Sequence, residues 1–198
     1  MKRKDRPYHH GNLAESLLSA ADEIAGKFGL EAVTLRGCAK LVGVSPSSAF
    51  RHYSDKRALM TALAARALKL LTDTLASAHA EARQQNSDAF VSVGLAYVAF
   101  ALEKPAYFRA MWREEAIYSQ NEEYVAAANG LRAHLQSGFA DTLDDLDPHT
   151  LSTDEFMAWS VVHGMAQLYI DGPVANADND ESKLASARQV LLTLKTAL

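Results

Sequence analysis

Small hydroxyl and basic side chains are concentrated in residues 34–56, in an order suited to contact with a nucleic acid. Ser47 and Ser48 open one short segment, and Arg51 and His52 close it. Hydroxyls are small enough to approach base edges in a major groove, while basic side chains donate hydrogen bonds to phosphates. The spacing predicts a polar, basic helix face that fits DNA. An ordinary helical hairpin with a solvated basic face is the alternative interpretation.

Capping and turn signals place these side chains on two consecutive helices. Thr34 is a suitable N-cap for the first helix, and Gly43 supplies the left-handed residue that ends it. Ser45 is a suitable cap for the second helix, whose first position is Pro46. The pattern therefore predicts a helix-turn-helix across residues 34–53.

Charge is distributed unevenly between the two ends of the chain. Residues 1–57 contain ten Lys or Arg and six Asp or Glu, whereas residues 58–198 contain ten and eighteen. Lys2, Arg3 and Lys4 form a basic arm ahead of the first helical sequence. Because a basic segment attracts polyphosphate and an acidic one does not, we expect DNA contact to be confined to a first domain, residues 1–57. Residues 58–198 are expected to form a larger helical domain for ligand binding and dimerisation.

Side chains that could catalyse a reaction or bind a metal are dispersed. No two of the seven histidines are four residues apart, and the sequence has no paired cysteines and no phosphate-binding glycine loop. We therefore expect neither an enzyme nor a bound cofactor or metal. Cys38 is the single cysteine, which excludes an internal disulfide and favours packing as a small hydrophobe. With no export signal or membrane-spanning apolar run, we expect a cytoplasmic protein that does not contact a membrane.

Apolar residues recur with helical periodicity along the whole chain, which predicts an all-α fold of about nine helices. The predicted helices span about residues 12–29, 35–42, 46–52, 55–82, 88–103, 105–113, 121–144, 153–171 and 181–197. The long fourth helix would join the DNA-binding domain to the rest and transmit movement between them.

The pattern resembles the TetR family of bacterial transcriptional repressors. The matching segments are residues 17–21, 29–34, 39–45 and 50–56, together with Leu59. The resemblance implies that Thr34, His52 and Lys56 hold phosphates. It also implies that Arg36 reaches a base or the backbone.

The same resemblance places the reading end of the second motif helix at the operator. The expected contacts there are made by Ser45, Pro46, Ser47, Ser48, Arg51 and Tyr53, although Arg51 could also be a solvated surface residue. Phe50 and Tyr53 reverse the family's usual Tyr and Phe. A phosphate contact through a hydroxyl at position 50 is therefore not carried over.

A narrower resemblance concerns the two ends of the chain. Residues 8–13 (Tyr-His-His-Gly-Asn-Leu) and Trp159 with His163 and Gly164 look like a TetR subgroup named for a Trp–His–Gly signature. The family resemblance implies a homodimer in which the last two helices form a four-helix bundle. The candidate interface residues are Met165, Leu168, Tyr169, Leu184 and Leu191. A core formed wholly within one chain is the alternative.

Aromatic and polarisable side chains cluster on neighbouring predicted helices, where core packing explains most of them. A cavity for an apolar or aromatic small molecule is a further hypothesis, because pockets are mostly apolar with a few orienting polar groups. The candidate pocket residues are Tyr97, Phe100, Phe108, Met111, Trp112, Trp159, His163 and Gln167, with Tyr107 and Tyr118 in the same cluster. His163 is either a ligand contact or a buried core histidine, and the second is favoured.

Together these features predict a DNA-binding transcriptional regulator, a repressor that a small apolar or aromatic effector releases from a palindromic double-stranded operator. The alternative is a helical ligand-binding or catalytic domain whose basic N-terminal hairpin serves packing or assembly. The composition of residues 45–52 favours the regulator, since a packing hairpin has no need of a capped start, small hydroxyls and a basic end on one exposed surface.

Overall fold

The computed structural model describes residues 12–137, 152–175 and 179–198. Within these ranges all regular structure is helical, so the predicted all-α fold is confirmed. The helices are α1 Leu13–Phe28, α2 Leu35–Val42, α3 Pro46–Phe50, α4 Lys56–Gln84, α5 Ala89–Glu103, α6 Pro105–Trp112, α7 Glu122–Ser137, α8 Thr153–Asp171 and α9 Asp180–Lys195. Two single turns of 3-10 helix, Leu30–Ala32 and Glu114–Ala116, precede α2 and follow α6.

The helix-turn-helix consists of α2 and α3, with the caps that the sequence predicts. A backbone N–H of the first turn of α2 donates to Thr34 Oγ1 over 3.0 Å. Gly43 ends the helix at a φ of 84°, a left-handed conformation that L side chains avoid. Ser45 accepts the Ser48 N–H at 3.2 Å, and Pro46 is the first residue of α3.

The third helix ends earlier than the predicted range of 46–52. The backbone N–H groups of His52 and Tyr53 both donate to the Ala49 carbonyl, in a turn that leads the chain toward α4. Asp55 then caps α4 through its side chain. α3 is therefore a short helix, and its C-terminal basic residues lie in the turn that follows it.

The fourth helix is the long central helix, which contacts both the N-terminal and the C-terminal helices. It contains 29 residues, which corresponds to a length of about 43 Å. Its N-terminal part packs against α1, and the remainder packs against α5, α6 and α7. Leu59, Leu63, Leu71 and Leu75 are fully buried along it. One continuous helix therefore contacts both the N-terminal and the C-terminal parts of the molecule.

The fifth helix lies at the centre of the C-terminal part, between α4 and α6 on one side and α8 and α9 on the other. Gly94 allows α9 to approach closely, because a Cβ at this position would lie 2.7 Å from Leu191 Cδ2. Leu191 is fully buried against this glycine. The prediction that Leu191 belongs to a dimer interface is therefore wrong; it is a core residue within the chain.

Some sequence predictions fall on parts of the chain beyond these ranges. Lys2, Arg3 and Lys4 lie outside the described residues, as do positions 138–144 of the predicted seventh helix. Among the residues that are described, no single helix is long and apolar enough to cross a membrane. The pair α5 and α6 meets that criterion jointly by length and composition, but it is bent by 103° at its junction.

Candidate DNA-binding surface and ligand cavity

The exposed surface of α3 presents three serine hydroxyls that hydrogen-bond to one another. Ser45 Oγ lies 2.9 Å from Ser47 Oγ and 2.8 Å from Ser48 Oγ. Pro46 and Ser47 are exposed. Phe50, at the end of the helix, is 45% exposed. The N-terminal end of the helix, where the serines lie, is therefore small, polar and accessible, as a base-reading surface requires.

Basic side chains surround this helix. Arg36 on α2 and Arg51 and His52 in the turn after α3 are all exposed. Lys56, the first residue of α4, is exposed and donates to the Glu31 backbone carbonyl over 3.2 Å. These positions match the phosphate and backbone contacts that the family resemblance implies.

Two of the predicted contact residues have roles inside the domain. The Thr34 hydroxyl accepts the N-terminal N–H of α2, although its side chain is exposed. The Tyr53 hydroxyl donates to the Ala14 carbonyl over 3.2 Å, and burial raises its pKa. Because this bond ties the turn to α1, we drop Tyr53 from the candidate DNA contacts and assign it a packing role.

The segment after α6 contacts the start of α4, which follows the helix-turn-helix directly. Tyr118 donates its hydroxyl to Asp55 Oδ2 at 2.8 Å, and its backbone N–H donates to Thr61 Oγ1 at 2.8 Å. Arg57 donates to the Ile117 carbonyl at 2.6 Å, with its guanidinium 4.6 Å from the centre of the Tyr118 ring. We call these five residues the junction. The placement of Tyr118 in the central aromatic cluster is therefore wrong.

A second contact strengthens this connection. Arg113, immediately after α6, forms a salt bridge with Glu31, which precedes α2. The Arg113 guanidinium lowers the pKa of Glu31, first through the hydrogen bond and then through its charge. The backbone N–H of Ala58 and then the Tyr118 hydroxyl likewise hold the pKa of Asp55 below its usual value. Both carboxylates therefore carry charge at neutral pH and anchor the segment after α6.

A cavity of about 480 Å³ lies among the helices of the C-terminal part. Its wall is formed by side chains from α4, α5, α6, α7 and α8, with Leu191 of α9. Tyr97, Trp112 and Trp159 of the predicted pocket residues line it. The volume is within the range of about 300–1,000 Å³ that is usual for small-molecule sites.

Four of the predicted pocket residues lie elsewhere. Phe100, Phe108 and Met111 are at most 3% exposed and belong to the core behind the cavity wall. Of the residues of α6, Trp112 lines the cavity, and the remainder of that short helix packs against α4, α5 and α1. Gln167 is exposed and donates to Asp171 Oδ2 at 3.0 Å.

His163 lies directly behind this wall and does not line the cavity. Its Nδ1 is hydrogen-bonded to the Tyr97 hydroxyl over 3.1 Å, and its ring stacks on Phe108 with centroids 5.3 Å apart. The Trp112 ring is 5.0 Å from it, edge-on. Burial lowers the pKa of His163, so the ring is neutral at pH 7. The favoured interpretation, a buried core histidine, agrees with this position.

The cavity wall contains polar atoms without partners. In the described ranges, four buried side-chain atoms have no hydrogen bond, and all four belong to residues that line this cavity. They are Trp112 Nε1, Arg132 Nε, Glu155 Oε1 and Trp159 Nε1. Buried polar atoms are rarely left unpaired, because each costs about 1–3 kcal/mol.

Sequence reasoning missed Arg132 and Glu155 as cavity residues. Glu155 follows Ser152 by three positions, which is the signature of a helix capping box, and the box is present. One carboxylate oxygen, Oε2, accepts the Ser152 N–H at 2.7 Å. The other oxygen, Oε1, has no partner, and the local pattern does not reveal that Glu155 lines the cavity.

The predicted dimer residues differ in exposure. Leu168 is 48% exposed, whereas Met165, Tyr169 and Leu184 are partly buried. Phe156 on α8 and Val190 on α9 are further exposed apolar side chains, at 59% and 40%. α8 and α9 therefore leave apolar surface uncovered, while Leu191 of the same set lies in the core.

Comparisons with known proteins agree with this architecture. Residues 17–63 match the family model described as bacterial regulatory proteins, tetR family, and residues 90–193 match a tetracyclin repressor-like C-terminal domain. The Bacillus subtilis (strain 168) protein named uncharacterized HTH-type transcriptional regulator YobS is 34% identical over 100 residues, 50% of this chain. The match spans about half, 51%, of that relative's length.

Solved structures resemble the whole fold. A protein of unknown function from Rhodococcus sp. RHA1 is 28% identical, with a TM-score of 0.71 and coverage of 94% of this chain and 97% of that one. A TetR-family transcriptional regulator from Streptomyces coelicolor is 21% identical, with a TM-score of 0.63 and coverage of 93% and 98%. At its lower identity, the second likeness concerns the fold alone.

Proposed function

Because the chain belongs to the TetR family of bacterial regulatory proteins, we propose that it is a repressor that leaves a palindromic operator when a small apolar or aromatic molecule fills its cavity. One observation carries the proposal. Trp112 lines the cavity, and the segment that follows it, from Arg113 to Tyr118, is bonded to Glu31 ahead of α2 and to Asp55 at the start of α4. A ligand that moves the end of α6 therefore acts on the DNA-binding surface through a few residues.

The DNA-binding domain in this proposal is residues 1–57. Its base-reading end is the serine surface of α3, and its phosphate contacts are the surrounding basic side chains and the capped start of α2. The proposed contact residues are Thr34, Arg36, Ser45, Pro46, Ser47, Ser48, Arg51, His52 and Lys56, with the arm residues Lys2, Arg3 and Lys4. Hydroxyls at the reading end specify sequence, whereas the cations position the domain on the duplex.

The partners in this proposal are double-stranded operator DNA, one small effector and a second copy of the chain. A symmetric dimer suits a palindromic operator, because each half-site then meets an equivalent reading helix. The apolar side chains of Leu168 and Val190, exposed on α8 and α9, support a dimer through these helices. We place the protein in the cytoplasm, where the DNA is, and assign it no enzymatic role, in keeping with a family of regulators.

The Trp–His–Gly subgroup remains part of the proposal. Trp159 and His163 lie on one face of α8, and the tryptophan lines the cavity while the histidine supports its wall. In such a subgroup the signature would build the ligand site. The effector would reach Trp159 and leave His163 as a positioning residue.

The test is selection of operators from a random duplex library, followed by footprinting of the selected sites. We expect an inverted repeat whose half-sites are separated by a whole number of helical turns, about 10 base pairs each. Lys56→Ala should weaken binding to all sequences alike, whereas Ser47→Ala should change which base is preferred. Lys69→Ala, an exposed lysine further along α4, is the matched control and should change neither. A protected site without two-fold symmetry would contradict the proposal.

A further inference from the structure

The four unpaired polar atoms belong to residues that line the cavity, and they indicate which hydrogen-bonding groups a ligand should carry. Three of them are hydrogen-bond donors, namely the N–H groups of Trp112, Trp159 and Arg132. The fourth, Glu155 Oε1, is an acceptor. Glu155 is 4% exposed, so water outside the protein does not reach it freely. A molecule that fills the cavity without serving these atoms would leave them desolvated at a free-energy cost.

The charges in the wall limit the net charge of the ligand. Glu155 supplies one carboxylate and Arg132 supplies one guanidinium to the same cavity, and the described ion pairs include none between them. Because the two opposite charges offset each other, the cavity favours a neutral molecule over a strongly charged one. The rest of the lining is mainly apolar.

The aromatic rings in the cavity wall limit the shape of the ligand. Trp112 and Trp159 both line the cavity, with ring centroids 5.8 Å apart and ring planes inclined to each other by 51°. Burial raises the pKa of Tyr97, and the neighbouring Trp159 N–H opposes that rise. The Trp159 N–H does not, however, meet the geometry of a hydrogen bond to the Tyr97 hydroxyl. Neither indole N–H has a hydrogen-bond partner, and a flat molecule lying against one of the two rings would bring acceptor atoms toward them.

From these observations, and building on the proposed function, we infer that the effector is a neutral planar aromatic compound with polar groups of two kinds. A ring nitrogen, which has one lone pair, accepts from the Trp112 indole, and further acceptor atoms serve the Trp159 and Arg132 N–H groups. A phenol O–H or aromatic amine N–H donates to Glu155 Oε1. Purely hydrocarbon aromatics fit the apolar wall but leave all of these atoms unpaired, so they bind more weakly.

Four bicyclic probes of similar size separate these contributions. An aminoquinoline with its amine on the carbocyclic ring carries both the donor and the acceptor. Aminonaphthalene carries the donor alone, quinoline carries the acceptor alone, and naphthalene carries neither. Calorimetry gives their affinities. The chain has two tryptophans, and both line the cavity, so quenching of intrinsic fluorescence gives an independent reading. We expect the aminoquinoline to bind wild type about tenfold more tightly than naphthalene, a ratio typical of one or two net hydrogen bonds.

Two variants test which side chain pairs with the donor of the probe and which pairs with its acceptor. Glu155→Gln keeps an oxygen for the Ser152 N–H and turns an amide N–H₂ toward the cavity, so it should weaken aminonaphthalene about tenfold and leave quinoline unweakened. Trp112→Phe removes one donor and keeps a ring, so it should weaken quinoline several-fold and spare aminonaphthalene. Asp154→Asn, an exposed neighbour on the same first turn of α8, is the control and should leave all four affinities unchanged.

The outcomes separate this inference from the proposed function. Naphthalene binding as tightly as the aminoquinoline, no binding by any probe, or a uniform loss for all four probes in Glu155→Gln would overturn the ligand assignment. If Glu155→Gln does not fold, the Trp112→Phe comparison decides alone. An operator footprint obtained without any probe tests the regulator role separately, so a failed probe ranking with an intact footprint removes the ligand class only. A correct ranking without a footprint removes the regulator and keeps the site.

Discussion

The α3 surface is formed by one continuous segment, residues 34–56, whereas the cavity takes side chains from every helix between α4 and α9. On α3, the hydroxyls of Ser45, Ser47 and Ser48 satisfy one another within a few residues of chain. In the cavity, polar atoms from three different helices remain unpaired. The polar groups of the first region are satisfied locally, and those of the second are not.

This difference explains what each region contributes. A locally capped helix keeps its shape whatever the distant parts of the chain do, which suits a surface that must match fixed base edges. A cavity assembled from α4 to α9 changes shape when any of these helices moves, which suits a sensor. The junction between them contains Asp55, Arg57 and Tyr118, whose bonds join segments about sixty residues apart, as the separation of 60 between Arg57 and Ile117 illustrates.

Truncation of the cavity's supporting wall should have the largest effect. Phe108 is fully buried and contacts the rings of Tyr97, Trp112 and His163. We expect Phe108→Ala to lower the free energy of unfolding by about 3–5 kcal/mol. Urea unfolding measures this loss.

The exposed Phe28 provides the matched control. It is 72% exposed at the end of α1, so Phe28→Ala should change the free energy of unfolding by less than about 0.5 kcal/mol. If the α3 surface keeps its shape independently of the cavity, the folded fraction of Phe108→Ala still binds its operator. Equal losses of stability in the two variants would refute the assignment of Phe108 to the core.

The next largest effect should come from the turn of the helix-turn-helix. Gly43 has a φ of 84°, so Gly43→Ala should cost about 1–2 kcal/mol and weaken operator binding. Gly26, inside α1 with open space around it and no positive φ, is the control. Gly26→Ala should add about 0.5–1 kcal/mol, because alanine loses less backbone entropy in a helix. Thermal unfolding with a binding titration would show the difference, and a stabilised Gly43→Ala would contradict it.

A smaller effect is expected at the junction, where it bears on how the two regions communicate. Tyr118→Phe removes the hydroxyl bond to Asp55 and keeps the ring over Arg57. Tyr118→Leu removes both. We expect operator affinity without a ligand to stay near wild type, and the fold-change caused by the aminoquinoline to shrink in Tyr118→Phe and further in Tyr118→Leu. Unchanged release in Tyr118→Leu would show that the signal takes another route.

The fold and the capped helix-turn-helix could be predicted from the sequence because their signals are local. The caps at Thr34, Ser45 and Gly43 lie next to the helices that they delimit. Wrong or missing assignments concern side chains whose neighbours are far away in the chain. Glu155 carried an adequate local explanation as a capping residue, and nothing in its neighbourhood indicated the cavity.

The same limit applies to the apolar residues of the last two helices. Leu191 and Leu168 have similar chemistry, but Gly94 on α5 leaves space for the first, while the second faces away from the core. Helical periodicity shows that α8 and α9 have more apolar surface than one stripe requires. It does not show which face meets α5 and which remains exposed, because that depends on the packing of helices far apart in sequence.

The smallest expected effect is a dependence of stability on pH that originates at the cavity wall. Burial lowers the pKa of His163 from its usual 6.5, and it also lowers that of His134. The unfolded chain therefore binds protons that the folded chain does not, so stability is present above about pH 6.5 and falls as the pH drops through that value. His163→Phe keeps a ring in the aromatic wall but cannot be protonated, so its stability should fall less between pH 7.5 and 5.5, leaving the part due to His134. His52→Gln, at an exposed position on the DNA-binding surface, should keep the wild-type slope. Denaturant unfolding at several pH values measures the slopes, and an identical slope in His163→Phe and wild type would mean that the wall does not keep this histidine neutral.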